Sequence, residues 1–242
     1  MQDRTTDDSD HPQTLSQPCP VCTLQPVCVP WNLEPEDLER LERIVEHPET
    51  LPPGRHLFQF GDPLRAIYVV RSGAFKVYRT DSWGRERVLG FCLAGELVGI
   101  DGIYPQRHVS HALALQASDV CALPYAQLAA RMEQSEGLRR QIFRLVSRDN
   151  THNLTLTRDS NADERMARFL LDMSWRYQNK GRPHLQFDLP MSRHDLGNYL
   201  RISVDMIGRV FDRFVARDLL IVHGESVKLL DVERLASLAK RS

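Results

Sequence analysis

The stretch MSRHDLGNYLRISVDMIGRVFDRF, from Met191 to Phe214, reads as a helix, a tight turn and a second helix. Ser192 supplies a capping hydroxyl for a short helix bearing Leu196, Tyr199 and Leu200. Arg201-Ile202-Ser203 then turns the chain into a second helix capped by Ser203. In that second helix Ile207, Val210, Phe211, Phe214 and Val215 recur at helical spacing and predict the buried stripe, while Asp205, Gly208, Arg209, Asp212 and Arg213 share the opposite face. A recognition helix enters the major groove by its N-terminal turns, which makes Asp205, Gly208 and Arg209 the base-reading candidates. Arg209 suits bidentate pairing with guanine O6 and N7, and Asp205 suits a cytosine amino group. Ser192, His194, Ser203 and Arg213 are the candidates for the DNA backbone. Gly208, costly inside a helix, points to a close approach of the first helix or of DNA.

Downstream, the runs Leu219–Val222 and Val227–Leu230 flank His223-Gly224-Glu225-Ser226 and predict a β-hairpin where a winged helix keeps its wing. Upstream, Asn161-Ala162-Asp163-Glu164 resembles a capping box and opens a helix with Met166, Phe169, Leu170, Met173 and Tyr177 on one face. Before that helix, Leu138, Ile142, Leu145 and Val146 form a stripe suited to a dimer seam, with Asp149 near it; packing of the same stripe on its own barrel is the alternative. Between Pro53 and Pro124 short apolar runs such as Ala66–Val70 and Ala74–Tyr78 alternate with turn pairs at Gly61, Gly73, Gly84 and Gly95, which predicts an all-β barrel or sandwich. From Glu34, the spacing of Leu38, Leu41, Ile44 and Val45 predicts one amphipathic helix ending before Pro48.

Three cysteines, Cys19, Cys22 and Cys28, crowd a Pro-bounded segment too short to bury a core, which marks ligands rather than packing residues. A fourth ligand is needed, and Cys92 and Cys121 both qualify by position. The C-x2-C-x5-C spacing suits zinc and iron–sulfur centres alike. A redox disulfide through Cys19 and Cys22 is disfavoured because no βαβ pattern surrounds it.

With 242 residues, 42% apolar and 26% charged, the chain is ordinary globular material for one or two domains, and the stretch Met1–Pro18 is a polar tail. A net charge of −1 excludes DNA binding by bulk charge, so any DNA contact must be local. No run approaches the roughly 18 apolar residues of a membrane span. The absence of an export signal and an odd count of five cysteines, three of them crowded between Cys19 and Cys28, point to the reducing cytoplasm.

From about Cys19 to the C-terminus the layout resembles the FNR (fumarate and nitrate reduction regulator) family of the cyclic-AMP receptor protein superfamily. The carriers are Cys19-Pro20-Val21-Cys22 with Cys28, Leu93-Ala94-Gly95-Glu96-Leu97-Val98-Gly99, Cys121, Asn161-Ala162-Asp163-Glu164-Arg165 and Arg193–Leu200. The resemblance implies an α+β fold. In it, residues 1–30 are a tail and cysteine loop, 31–135 a cupin-like β-roll of the cyclic-nucleotide-binding type, 136–160 a dimerisation helix and 161–242 a winged helix-turn-helix. It also implies a [4Fe-4S] cluster, with zinc as the alternative, on Cys19, Cys22, Cys28 and Cys121, leaving Cys92 an ordinary thiol. The function implied is an oxygen-responsive homodimeric activator in anaerobic or low-oxygen conditions, whose intact cluster favours the DNA-competent dimer. Its partners would be RNA polymerase and double-stranded DNA related to TTGAT-NNNN-ATCAA.

Three departures stand out. Asp205 and Gly208 replace the family's Glu and Ser, the dimer helix runs about a turn short, and the turn Thr80–Arg87 differs where the family meets polymerase. A cyclic-nucleotide receptor would need an Arg-Ser pair after the Gly-Glu-Leu turn, where this chain has Gln106-Arg107-His108-Val109-Ser110. An enzyme is not expected, because His56, His108, His111 and His194 match no catalytic or metal motif.

Overall fold

The computed structural model describes residues 19, 22–24, 27–155 and 161–240, without the side chains of residues 149–155. The expected tail of residues 1–18 and the Asp149 side chain fall outside the described residues. Helix α1 spans Pro35–Glu42, with Pro35 at its first position, and ends short of the predicted Val45. Ile44, though beyond the helix, is still buried.

The β region folds as two facing sheets. One pairs β1 (His56–Phe58), β6 (His111–Ala114), β3 (Ala74–Thr80) and β4 (Glu86–Leu93) in that order. The other pairs β5 (Leu97–Val98), β2 (Ala66–Ser72) and β7 (Asp119–Pro124). Phe58, Val70, Phe75, Val98 and Val120 fill the space between them, the alternation of a half-buried strand serving one interior.

Helix α2 (Tyr125–Gln134) leads into the 20-residue α3 (Glu136–Thr155). The expected seam is corrected here. Leu138, Ile142 and Leu145 are 2–4% exposed and pack with Val29, Leu41, Ile67, Val69, Leu97 and Leu123 of their own chain. Periodicity identifies an apolar stripe but not what covers it. The outward face of α3 instead carries Phe143, 63% exposed, with Arg139, Arg140 and Arg144 around it.

Helix α4 (Ala162–Gln178) opens on the anticipated cap. Asn161 Oδ1 accepts from Glu164 N–H at 3.0 Å, and Asn161 Nδ2 donates to Glu164 Oε1 at 2.7 Å. The third sheet orders β8 (Gln186–Asp188), β10 (Ser226–Leu229) and β9 (Leu220–His223), and α7 (Val232–Ala239) closes the chain on α4. The short strand β8 and α7 have no counterpart in the sequence reading.

Candidate functional site

Two sites emerge, a helix pair suited to nucleic acid and a pocket of thiols. The helix pair is α5 (Arg193–Leu200) and α6 (Val204–Ala216). Ser192 accepts from Asp195 N–H and Ser203 from Met206 N–H, so both serines cap their helices. The turn between them closes at Arg201, which is left-handed at φ 56°. It closes tightly because Gly197 has no Cβ; one there would lie 2.8 Å from the Ile202 carbonyl oxygen. Arg165 Nη1, from α4, donates to the Leu200 and Arg201 carbonyls at 3.0 and 3.2 Å and pins the same turn. Gly197 and Arg165 are structural residues of this site that the sequence reading did not assign; the signal for Gly197 was its place four residues ahead of Arg201, where the turn begins.

Ile207, Val210, Phe211 and Phe214 are buried as the stripe predicts, whereas Val215 is corrected to an exposed position, 43% open. Asp205, Gly208 and Arg209 all lie on the exposed face. A Cβ on Gly208 would meet nothing within 4 Å, so this glycine does not serve packing against the first helix. His194 is exposed beside the cap. Arg213 departs from its expected role: its guanidinium is paired with both carboxylate oxygens of Asp163 on α4, with Nε at 3.3 Å, so it is committed inside the domain. Arg193 stacks over the Phe211 ring at 3.9 Å and donates to Gly224 O at 3.4 Å, joining α5 to the wing turn.

In the second site, Cys19, Cys22, Cys28 and Cys121 line one small pocket walled by Val29, Leu41, Val45, Val69 and Leu123. Cys121 enters from β7, where it is paired with Val69 of β2. Cys92 lies elsewhere, with its Sγ 3.6 Å from Leu97 O. His47 and Arg71, which no sequence motif marked, stand at the rim, and His47 Nδ1 is 3.7 Å from Cys121 Sγ. Burial above all pushes the Cys19 and Cys121 thiols up to about 11, with the charge of Cys121 adding to the rise at Cys19 and Arg71 opposing it at Cys121. Burial drives Cys28 upward as well. Behind these apolar walls Cys19, Cys28 and Cys121 resist ionising unless a cation joins them, and metal binding is what stabilises such thiolates.

Among the described residues, no three His, Cys, Asp or Glu side chains converge on a single metal ion. The set is thus more open than a tetrahedral shell with Zn–S bonds of about 2.3 Å. An all-thiol donor set of this kind fits an iron–sulfur centre, in which each thiolate binds its own iron.

The cysteine loop rests directly on α3. Gln141 Nε2 donates to Cys28 O at 2.9 Å, Arg144 lies over the Trp31 ring at 4.0 Å, and Arg148 Nη1 donates to Val27 O at 3.3 Å.

The family profile described as cyclic nucleotide-binding domain matches residues 48–135, and that described as Crp-like helix-turn-helix domain matches residues 164–238. The transcriptional activator protein anr of Pseudomonas aeruginosa is 39% identical over 224 residues, 91% of this chain and 92% of that one. The fumarate and nitrate reduction regulatory protein of Vibrio cholerae is 37% identical over 91% of this chain and 90% of its own. The chain belongs to the FNR family. The fold of this FNR-family chain is matched among solved structures. The structure of FixK2 from Bradyrhizobium japonicum superposes with a TM-score of 0.73 at 24% identity, over 82% of this chain and 99% of that one. The chain is accordingly a transcription regulator of the cyclic-AMP receptor protein superfamily with a DNA-binding winged helix, not an enzyme. No helix among the described residues is long and apolar enough to cross a membrane.

Ser110 Oγ donates to Asp101 Oδ2 at 2.6 Å and Arg107 is exposed, so the Arg–Ser pair that would meet a cyclic phosphate is not assembled.

Proposed function

We propose that this FNR-family chain is an oxygen-responsive transcription activator of the cytoplasm, in which Cys19, Cys22, Cys28 and Cys121 hold a [4Fe-4S] cluster. The observation that carries the reading is the meeting of those four thiols, three from the leader and one from β7, in a single apolar-walled pocket. Bound there, the cluster would supply reactivity toward dioxygen. What the chain's own residues contribute is mechanical: Gln141, Arg144 and Arg148 clasp the cysteine loop to α3, so the position of the loop bears on the helix whose outer face carries Phe143. An effect on subunit pairing must equal the difference in loop binding between paired and unpaired states.

In the paired state two copies of α6 present Asp205, Gly208 and Arg209 to a palindrome related to TTGAT-NNNN-ATCAA, with Ser192, His194 and Ser203 near phosphates. RNA polymerase is the further partner. Asp205, one methylene shorter than the family's Glu, is expected to alter the base preference next to the guanine read by Arg209.

The test begins with anoxic purification of the full chain. Expected are a brown protein with about four irons and four sulfides per chain, bleaching in air, and a fall in mass from dimer to monomer. A colourless chain holding one zinc would overturn the sensing role. So would an iron-free chain that pairs and binds its operator equally well with all four cysteines replaced by serine.

A further inference from the structure

A cavity of about 400 Å³ lies between β4, the Glu96–Asp101 segment and the last turns of α4. Of the charged groups on its wall, Glu96, Arg148, Arg176 and Lys180 meet at the turn Leu93–Glu96. Glu96 is buried. It accepts from Leu93 N–H at 2.9 Å, Arg176 Nε at 2.9 Å and Lys180 Nζ at 3.0 Å, while Arg176 Nη2 donates to Phe91 O at 2.6 Å. Arg176 and Lys180 belong to the DNA-binding half, and Glu96 belongs to the β-roll.

One residue earlier the cysteine loop reaches the same turn. Gly95 adopts φ +83°, and a Cβ there would lie 2.9 Å from Val27 Cγ2 and 3.8 Å from Lys180 Cε. Arg148 bridges the two backbones, donating to Val27 O at 3.3 Å and Gly95 O at 3.4 Å. Val27 directly precedes Cys28. At its other end α4 reaches the turn between α5 and α6 through Arg165.

We propose that the turn Leu93–Glu96 relays the position of the cysteine loop to the DNA-binding helices within a single chain, with Arg148, Gly95 and Glu96 as its positioning residues. Its bearing on oxygen rests on the function proposed above; the relay itself does not. The physical basis is the intolerance of buried ions to displacement. Glu96 cannot follow a moving turn without withdrawing its carboxylate from buried Lys180 and leaving buried Arg176 only Asp172 at 3.5 Å and the Phe91 carbonyl, so α4 moves with it. If Val27 withdraws, Arg148 loses one acceptor and Gly95 loses one wall. The open cavity behind gives the turn and α4 a second place to settle, which a closely packed interface would deny them.

The test uses the full-length, reduced, metal-free chain and amide hydrogen exchange. In Arg148→Gln, exchange is expected to rise about tenfold both at Leu93–Leu97 and in the last turns of α4. In a Glu96→Gln background the same change should reach Leu93–Leu97 and add nothing at α4. A response confined to Leu93–Leu97, or full additivity at α4, overturns the relay. Should Arg148→Gln lose its native circular dichroism, Val27→Gly keeps the backbone acceptor and removes only the contact with Gly95. Raised exchange at α4 then supports the relay, and unchanged exchange there overturns it. Because no metal is present, these outcomes stand whether or not the chain proves to sense oxygen.

Discussion

Arg209 and Arg213 sit four residues apart in α6 and look interchangeable in the sequence, yet Arg209 makes no hydrogen bond or ion pair among the described residues while Arg213 is bound to Asp163. Their variants should therefore behave differently. Arg209→Ala is expected to weaken the specific complex by about 1–3 kcal/mol and to relax preference at one base pair per half-site. Arg213→Ala should instead lower stability with little change in base preference. Fluorescence anisotropy on the cognate palindrome and single-base variants separates the two; a uniform loss across all sequences for Arg209→Ala would refute base reading. The glycines of this region invert the expectation drawn from composition. Gly208→Ala, in open space, should stabilise α6 by about 1 kcal/mol. Gly197→Ala forces a methyl against the Ile202 carbonyl and should cost about 1–3 kcal/mol. Thermal melts of the two variants moving in the same direction would contradict this. Spacing placed both glycines on their helices; only the tertiary approach of the Ile202 carbonyl told them apart.

At the scale of the element, α3 shows what a hydrophobic period contains. The stripe Leu138, Ile142, Leu145 was visible in the sequence, and so was the helix, but a stripe suits a partner subunit and a neighbouring strand equally well. What decided its orientation was the cysteine loop and the β5–β2–β7 sheet, which bury it through Val29, Val69, Leu97 and Leu123 from far along the chain. Leu145→Ala should accordingly destabilise the single chain by about 2–5 kcal/mol, as an internal cavity does. Phe143→Ser, on the open face, should leave the melting of the monomer within about 0.5 kcal/mol of the parent and weaken self-association in sedimentation equilibrium. If Leu145→Ala disturbs pairing but not monomer stability, the stripe faces a partner after all. The thiol set was legible in a different way. Three cysteines declared themselves by crowding, but the choice of Cys121 over Cys92 follows from β7 lying against β2, a pairing that no local pattern reports.

Across the whole molecule, the two halves share one hydrophobic cluster, in which Val88, Phe91 and Leu93 of β4 pack with Phe169, Leu196 and Leu200 of the DNA-binding half. Polar ties flank it. Asn198 Nδ2 donates to Glu86 O at 2.8 Å, Val88 N–H donates to Asn198 Oδ1 at 2.9 Å, and Lys76 reaches Asp195 at 2.9 Å. None of these was readable from the sequence, since each joins residues more than a hundred positions apart. The Glu96 cluster adds a dependence on pH. Burial alone would raise the Glu96 carboxyl, but the charges of Arg176 and Lys180 outweigh it and hold the group well below the usual carboxylate range. A carboxylate depressed in the folded state stabilises the fold above its unfolded value of about 4.3, and that contribution is lost as pH falls toward the folded value.

Glu96→Gln should therefore cost about 3–5 kcal/mol near neutrality, where it leaves two buried cations facing an amide. The cost should shrink as pH drops below about 4.3, because the parent is then giving up the same interaction. Asp101 and Asp195, also held low by their partners, titrate in both proteins and cancel in the difference. Chemical denaturation of parent and variant from pH 7 to pH 3 measures that difference directly. A gap that stays constant across the window would mean that Glu96 acts through its shape rather than its charge. A gap that narrows with acid would locate in this one carboxylate a measurable part of what holds the DNA-binding half against the β-roll.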